Sequence, residues 1–200
     1  MYLPAHFEEI RPEVLRELIA RHPLGALVTR ELDADHLPFH LHGDSLVAHV
    51  SRNNPLWSRV ADGQEVLVIF RGADGYISPS WYPSKHETHR QVPTWNYFVV
   101  HAHGRVFVRD DVDFVRTVVA QLTKTHEAWQ PQPWKMSDSP RAFIDELLQE
   151  IVGLEVQIDR LVGKAKLGQN RQQRDARGAA EGLRSTGHVE LADEMTKRNG

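Results

Sequence analysis

The feature that most constrains the fold is a series of short strand-like segments separated by glycine, aspartate and proline. These segments are rich in β-branched and aromatic residues, which favour strands, and the turns between them favour antiparallel neighbours. The predicted strands are LGALVTREL, HLPFHLHG, DSLVAHVS, QEVLVIFRG, VPTWNYFVVHAHGRVFVRD and a segment that begins at Gly153. Pro38 restricts the second of them to an edge or irregular position. The pattern predicts a mainly β fold with peripheral helices, a small barrel rather than a βαβ sheet.

Helical periodicity is strongest over residues 111–127, where apolar side chains fall on one stripe and acidic residues precede the first turn. Shorter helices are predicted at residues 12–20 and 53–63, around RAFIDELLQEI, and in the tail. The segment KHETHRQ is predicted to be a polar surface loop. Neither a dinucleotide-binding glycine motif nor a P-loop is present.

Composition excludes several classes of protein. The chain has no cysteine, so disulfides, thiolate metal sites and cysteine nucleophiles are ruled out. Its net charge of -3 provides no chain-wide attraction for nucleic acid. The N-terminal residues lack a signal-peptide pattern, and no apolar run approaches the roughly 20 residues of a membrane span. We therefore expect a cytoplasmic protein with no membrane partner.

The stretch YISPSWYPSK, residues 76–85, packs three aromatic rings, three serines, two prolines and a lysine into ten positions. Together with VPTWNY at 93–98, it offers flat surfaces and hydrogen-bonding groups. The rings are Tyr76, Trp81, Tyr82, Trp95 and Tyr97, and the polar groups are Ser78, Ser80, Thr94 and Asn96. This combination suits a planar heteroaromatic ligand with a polar rim. Aromatic packing within the barrel and at its rim is the alternative.

Two further segments are candidates for binding an anion. In HVSRNNPLW, residues 49–57, a strand runs into a helix start, where a hydroxyl, a guanidinium group and backbone donors could cradle a phosphate. Helix capping explains the same residues. In GKAKLGQNR, residues 163–171, lysines, amides and an arginine follow a strand and could clamp an anion or merely decorate the surface.

The twelve histidines include the close pairs His40/His42, His86/His89 and His101/His103. Histidines at i and i+2 share one face of a strand and can chelate a metal. Since no acidic residue accompanies them at metal-ligand spacing, no metal site is predicted. Between Arg160 and Arg184 basic residues outnumber acidic ones, which suits either nucleic-acid binding or a solvated helix face.

Four motifs together resemble those of the PaiB family, described as FMN-binding negative transcriptional regulators. They are MYLPAHFEE, YISPSWYPSK, VPTWNY with VHAHG shortly after, and KAKLGQNR, and they span Met1 to about Leu183 in the family's order. The family belongs to the flavin split barrels related to pyridoxamine 5′-phosphate oxidase, which are typically homodimers with FMN at the subunit interface. One departure is Gly168, where the family more usually carries serine.

The resemblance implies FMN as the cofactor, with its ring beside residues 76–82 and its phosphate at the strand exit of residues 49–57. The residues predicted to bind FMN are His49, Ser51, Arg52, Asn53, Ser78, Trp81, Tyr82, Trp95, Asn96, Lys166, Gln169 and Arg171. No catalytic residue and no metal ligand is predicted.

We expect an FMN-binding split-barrel domain over residues 1–162 and a helical extension over 163–200 that packs on the barrel or on the dimer partner. The predicted function is homodimeric negative control of transcription, with promoter DNA as a candidate partner. A flavin-dependent oxidoreductase acting on a small molecule is the alternative, for which His49, His101 or Tyr82 could donate a proton. A haem-binding split barrel is a third possibility, based only on the number of histidines.

Overall fold

The computed structural model describes all 200 residues and contains eight strands and seven helices. The strands are β1 (Glu8–Glu9), β2 (Leu24–Val28), β3 (Ala34–Pro38), β4 (His40–His42), β5 (Ser45–Ser51), β6 (Gln64–Ile77), β7 (Thr94–Arg109) and β8 (Ile151–Lys166). The helices are α1 (Pro12–Arg21), α2 (Leu56–Arg59), α3 (Pro83–Thr88), α4 (Val112–Glu127), α5 (Arg141–Gln149), α6 (Gln173–Ser185) and α7 (Val189–Asn199). The mainly β fold with helices is therefore confirmed.

The strands form one sheet in the order β3-β2-β6-β7-β8-β5-β4, with β1 paired to β8. Strands β3 and β4 are the two ends of this order, yet only Phe39 separates them along the chain. Since consecutive Cα atoms are about 3.8 Å apart, the sheet must curve until its two edges meet. The predicted edge position of Pro38 is confirmed, and Pro38 ends β3.

The chain divides into two compact units. The central unit contains residues 19–70 and 101–161, and the terminal unit contains residues 1–18, 71–100 and 162–200. The division predicted between residues 162 and 163 stays a prediction.

The core of the central unit follows the predicted periodicity. Along α4, Val115, Val118 and Leu122 are buried as expected from their helical stripe. Val118 and Leu122 pack with Val47 of β5, and Val115 packs with residues of α5. Helix α4 is therefore fixed by burial of one apolar face, and Asp111 caps its start by accepting a hydrogen bond from the Phe114 N–H at 2.8 Å.

In the terminal unit α6 and α7 form a helical hairpin, and Gly187 in the turn has a φ of +85°. Leu183 of α6 and Leu191 and Met195 of α7 are almost fully buried. Strand β1 pairs antiparallel with the end of β8, where Glu9 faces Gly163. None of the seven helices combines the length and the apolar character needed to cross a bilayer.

Two local predictions were wrong or incomplete. The segment KHETHRQ is not a loop throughout, because α3 covers Pro83–Thr88. Pro83 supplies a helical φ at the first turn, and the Ser84 N–H and hydroxyl both bond to Asp175 of α6. HLPFHLHG is two strands rather than one, and β1 was not predicted.

Strand β7 runs without a break through Gly104. A Cβ at Gly104 would lie 2.2 Å from the Gln157 carbonyl oxygen, so glycine here permits close approach to the neighbouring strand.

Candidate functional site

The exit of β5 holds Arg52 in a fixed position. Its Nε donates to the Gln149 carbonyl at 2.7 Å, and its two terminal nitrogens bond to the Asp110 carboxylate at 3.0 and 2.6 Å. Trp57 donates its indole N–H to the Arg52 carbonyl at 2.9 Å. The guanidinium group is therefore well oriented, but a carboxylate already neutralises it.

Ser51 and Asn53 flank Arg52 and are both exposed. The Asn53 N–H points at the Ser51 hydroxyl oxygen, 3.3 Å away, so the turn is closed by a local hydrogen bond. These three residues lie together as predicted, and their polar groups face solvent at the end of a strand. The turn therefore leaves a hydroxyl and an amide within reach of a ligand.

His49 lies two residues before this turn on β5. Its Nδ1 atom is buried and has no hydrogen-bond partner. Burial lowers the pKa of the His49 imidazole, which therefore stays neutral at pH 7. Because buried polar atoms are normally satisfied, an unpartnered ring nitrogen indicates a place where a ligand atom could bond.

In the terminal unit Tyr82 and Arg171 lie face to face. Tyr82 is buried, and the Arg171 guanidinium carbon is 5.1 Å from its ring centroid. Arg171 donates to the Gln91 side-chain oxygen at 2.8 Å, and Gln91 donates to the Ser84 hydroxyl at 2.7 Å. Ser84 in turn donates to the buried Asp175 at 2.7 Å. Burial raises the pKa of Tyr82, which keeps its phenol protonated.

Lys164 and Lys166 lie at the end of β8, and Lys166 lies near both Lys164 and Arg171. Lys166 is half-buried and donates to the Thr94 hydroxyl at 2.6 Å, while Lys164 is buried and donates to the Tyr2 carbonyl at 2.9 Å. Burial lowers the pKa of Lys166, and the positive charges of Lys164 and Arg171 lower it further. None of these three cations forms an ion pair with a carboxylate. An unpaired cluster of this kind can receive an anion or a carbonyl-rich ligand edge.

Two other predicted site residues, Gln169 and Asn96, form hydrogen bonds within the terminal unit, and those of Gln169 fix the loop after β8. The Gln169 side chain accepts from the Leu167 N–H at 2.8 Å and donates to the Ala165 carbonyl at 2.6 Å. Between them Gly168 has a φ of +88°, a conformation that favours glycine over the family's usual serine. Asn96 is buried and donates to the sulfur of Met195 on α7 at 3.4 Å.

The aromatic side chains do not form one continuous surface. The Trp81 ring packs on Gly182 of α6, where a Cβ would lie 2.2 Å from the ring. Trp95 is half exposed, donates its indole N–H to Asp74 at 3.0 Å and meets the Tyr76 ring edge to face. The Ser78 side chain caps the short 3-10 turn that carries Trp81. Trp95 and Tyr76 are thus the rings most open to a ligand.

The predicted site residues fall into two groups. His49, Ser51, Arg52 and Asn53 belong to the central unit, and the remaining eight belong to the terminal unit. Sequence reasoning missed Asp110, Ser84, Gln91 and Asp175, which are distant in sequence from the residues they contact. It also left out Lys164, although KAKLGQNR contains it, because alternation along β8 does not distinguish a buried lysine from an exposed one.

The remaining candidate groups are the histidine pairs and the basic residues of the tail. The His101 and His103 ring centroids are 6.4 Å apart, and no three His, Asp or Glu side chains converge to hold a metal ion. On α6, Arg174 pairs with Glu87 and Arg184 pairs with Asp193, so carboxylates neutralise these two basic residues of the tail.

A curved β-sheet of this strand order, with cationic side chains at the exit of β5 and at the end of β8, has the architecture of a β-barrel protein. The chain matches the family model described as "Putative FMN-binding domain" over residues 1–160 and belongs to that family. Its cofactor is FMN.

Related proteins match nearly the whole chain. An uncharacterised protein of Emericella nidulans is 30% identical, with 94% of this chain and 92% of the relative covered. The protease synthase and sporulation protein PAI 2 of Bacillus subtilis is 29% identical, with 92% and 90% covered. The resemblance to the PaiB family is thereby confirmed.

Solved structures share the fold. A FAD- and haem-binding protein of Mycobacterium smegmatis has a TM-score of 0.62 at 21% identity, covering 81% of this chain and 74% of that one. The flavocytochrome Anf3 of Azotobacter vinelandii has a TM-score of 0.59 at 13% identity, covering 81% and 70%. The fold is that of the flavin-binding split barrels.

The residues present fit FMN. The flavin has an anionic phosphate, a ring edge rich in carbonyl oxygens and hydrogen-bonding ribityl hydroxyls. The central unit offers a guanidinium group and an unpartnered histidine nitrogen. The terminal unit offers cations without carboxylate partners and exposed aromatic rings.

Proposed function

We propose that the protein is a cytoplasmic, homodimeric FMN-binding protein of the PaiB type that negatively regulates transcription. Family membership supports the cofactor, and the resemblance to PaiB proteins supports the regulatory role. The observation that carries the proposal is the partly buried pair Lys166 and Arg171, since two cations without carboxylates are costly unless a ligand faces them.

In this proposal the two groups of residues contact different parts of FMN. Arg52 and the Ser51–Asn53 turn bind the phosphate, because a guanidinium group matches phosphate oxygens in a bidentate manner. Phosphate then displaces Asp110 as the partner of Arg52. In a homodimer with FMN at the subunit interface, either subunit can supply each group.

Lys166 and Arg171 face the carbonyl-rich edge of the isoalloxazine ring, where a positive charge favours the reduced flavin. The Tyr82 ring packs against the guanidinium group of Arg171, and Gln91 fixes the orientation of that group through a hydrogen bond. FMN, when bound, supplies one- and two-electron transfer, and the chain positions it and sets its charge environment.

Comparison of FMN with riboflavin, which lacks the phosphate, tests this division. Titrations would follow quenching of flavin fluorescence. Arg52→Ala should weaken FMN binding by roughly tenfold or more and leave riboflavin unchanged, because one charge-assisted contact to phosphate is lost. Lys166→Met should weaken both flavins by a similar factor. Arg177→Gln, on the exposed face of α6, is the control.

The phosphate assignment fails if Arg52→Ala affects both flavins equally or neither. A loss of FMN binding with unchanged riboflavin binding in Lys166→Met would move the phosphate to the cation cluster of the terminal unit. The oligomeric state of the FMN-loaded protein, measured by light scattering, tests the homodimer, and a monomer that still binds FMN would contradict it.

The regulatory role needs its own test, because the α6–α7 hairpin is a poor candidate for reading DNA. A recognition helix contacts bases near its N-terminus, whereas α7 begins with Glu190, Asp193 and Glu194. Transcript levels should rise for specific genes when the protein is deleted. Retardation of their promoter DNA over random DNA, weakened by salt, would assign direct binding. Unchanged transcripts would overturn the role.

A flavin-dependent oxidoreductase is the second candidate, favoured by the neutral, unpartnered imidazole of His49. A neutral histidine with a free ring nitrogen can exchange a proton with a bound substrate. Turnover of NAD(P)H by the FMN-loaded protein that falls in His49→Asn would support this function. Absence of turnover with any electron acceptor would remove it, and a Soret band in purified protein would indicate haem instead.

A further inference from the structure

The central unit contains a cavity that the flavin proposal does not use. It has a volume of about 530 Å³ and lies between the last turns of α4 and the chain that precedes α5. Small-molecule sites typically have volumes of about 300–1,000 Å³ and largely apolar walls. The apolar lining residues are Ala120, Ala128, Pro133, Trp134 and Met136.

The walls of this cavity are fixed by hydrogen bonds and by the core. The Trp134 N–H donates to the Glu127 carboxylate at 3.0 Å, which ties the loop to the end of α4. The Lys135 N–H donates to the Asp138 carboxylate at 2.9 Å. Met136 packs on the core cluster that contains Val115. The cavity is therefore preformed, and Met136 connects its lining to the apolar core.

The charges at its rim favour an anion. Lys124 and Lys135 line the cavity, are exposed, and form no ion pair. Glu127 contributes one negative charge, already hydrogen-bonded to the Trp134 N–H. The C-terminal end of α4 adds roughly half a negative charge. Among the side chains that line the cavity, two lysines therefore face one carboxylate opposite an apolar wall, and Asp138, which accepts from the Lys135 N–H, is not among the lining residues.

We propose that this cavity binds a small amphipathic organic anion, with a flat apolar body against Trp134 and Met136 and a carboxylate or sulfonate near Lys124 and Lys135. The indole offers a rigid face for an aromatic ring. The ligand differs from FMN in needing no ribityl hydrogen bonds, since the walls provide few polar groups besides the two lysines. This inference is independent of the proposed flavin contacts.

The test uses 1-anilinonaphthalene-8-sulfonate, an aromatic anion, and the full-length protein. Binding is measured by isothermal titration calorimetry, because flavin absorption would interfere with probe fluorescence. One saturable site per subunit is expected. Trp134→Ala should abolish saturable binding, and Lys124→Gln combined with Lys135→Gln should weaken it by roughly tenfold, as expected for two exposed charges at a binding rim.

The chain offers a matched control in Trp129, which is 76% exposed and does not line the cavity. Trp129→Ala should bind the probe as the parent protein does. Thermal melting of each variant shows whether it is folded. If Trp134→Ala unfolds, Ala120→Trp, which fills the cavity from α4, should abolish binding in its place.

Two further comparisons make the claim specific. 1-Naphthoate should compete with the probe, and 1-naphthylmethylamine, its cationic counterpart, should not. Saturation with FMN should leave probe binding unchanged. Equal competition by the cation, equal loss in Trp129→Ala, or displacement of the probe by FMN would each overturn the proposal of a separate anion site.

Discussion

The guanidinium group of Arg52 and the carboxylate of Asp110 form a bidentate ion pair, with N–O distances of 3.0 and 2.6 Å. Asp110 directly follows β7 and precedes Asp111, the cap of α4, so the pair links the exit of β5 to the start of that helix. The same contact orients Arg52 and competes with any anion that approaches it. Asp110 is thus a candidate regulator of affinity at the proposed phosphate site.

Replacing Asp110 with Asn should therefore tighten FMN binding. The amide keeps a hydrogen bond to Arg52 but removes the competing charge, and we expect FMN affinity to rise by roughly threefold to tenfold. Riboflavin affinity should not change. Because the pair is partly exposed, stability should fall by less than about 1 kcal/mol. Fluorescence quenching titrations check the affinities, with Asp113→Asn in the first turn of α4 as the control. Weaker FMN binding in Asp110→Asn would contradict the competition.

The elements that were predicted correctly are those whose burial follows a local period. Helix α4 was evident because Val115, Val118 and Leu122 recur on one face, and the strands were evident from their composition and turns. Helix α3 was missed because PSKHET has no apolar stripe, and its first turn is fixed by Asp175, 91 positions away. Tertiary contacts of this length leave no local signal.

The predicted site residues show the same contrast between local sequence signals and distant tertiary contacts. Residues that share a motif, such as Ser51 and Arg52, lie together because they are neighbours in the chain. Their partners are not local, since Asp110 is 58 residues from Arg52 and Gln91 is 80 residues from Arg171. The motifs identified residues with binding potential, whereas their charge state depends on pairings that only the fold creates.

Trp81 depends on a small residue in α6. A Cβ at Gly182 would lie 2.2 to 2.6 Å from three atoms of the rigid indole ring. Gly182→Ala gains about 1 kcal/mol of helix propensity but forces the ring to move, and overpacking typically costs about 1–3 kcal/mol. We expect net destabilisation, measured by urea unfolding. In the Trp81→Ala background the same change should stabilise the protein, and additive effects in this double-mutant cycle would contradict the contact.

Glu9 is buried and bonded to two arginines. Arg11 approaches its carboxylate at 2.6 and 2.8 Å, and Arg198 approaches at 2.8 Å. The Arg11 hydrogen bond lowers the pKa of Glu9 from 4.5 to about 2. A depressed acid pKa stabilises the folded state above pH 4.5, and the contribution is lost as the pH falls toward 2.

Glu9→Gln should therefore cost roughly 3 kcal/mol at pH 7, the free energy that corresponds to this shift. The difference from the parent protein should shrink below pH 4.5, by about 1.4 kcal/mol per pH unit. Urea unfolding at pH 7 and pH 3.5 measures it. Glu8→Gln, its exposed neighbour in β1, is the control, and a pH-independent cost of Glu9→Gln would show that packing and not charge is responsible.

His49 connects pH to the proposed phosphate site. Burial lowers the pKa of its imidazole, so the unfolded chain takes up a proton first as the pH falls below 6.5, and stability declines there. The stability of His49→Asn should be less sensitive to acid between pH 6.5 and 5.

FMN should raise the His49 pKa, because a nearby phosphate dianion favours the imidazolium form. NMR titration of the ring protons with and without FMN measures this shift, and His89, on the surface of the terminal unit, is the internal reference. A His49 pKa that does not respond to FMN would separate this residue from the phosphate.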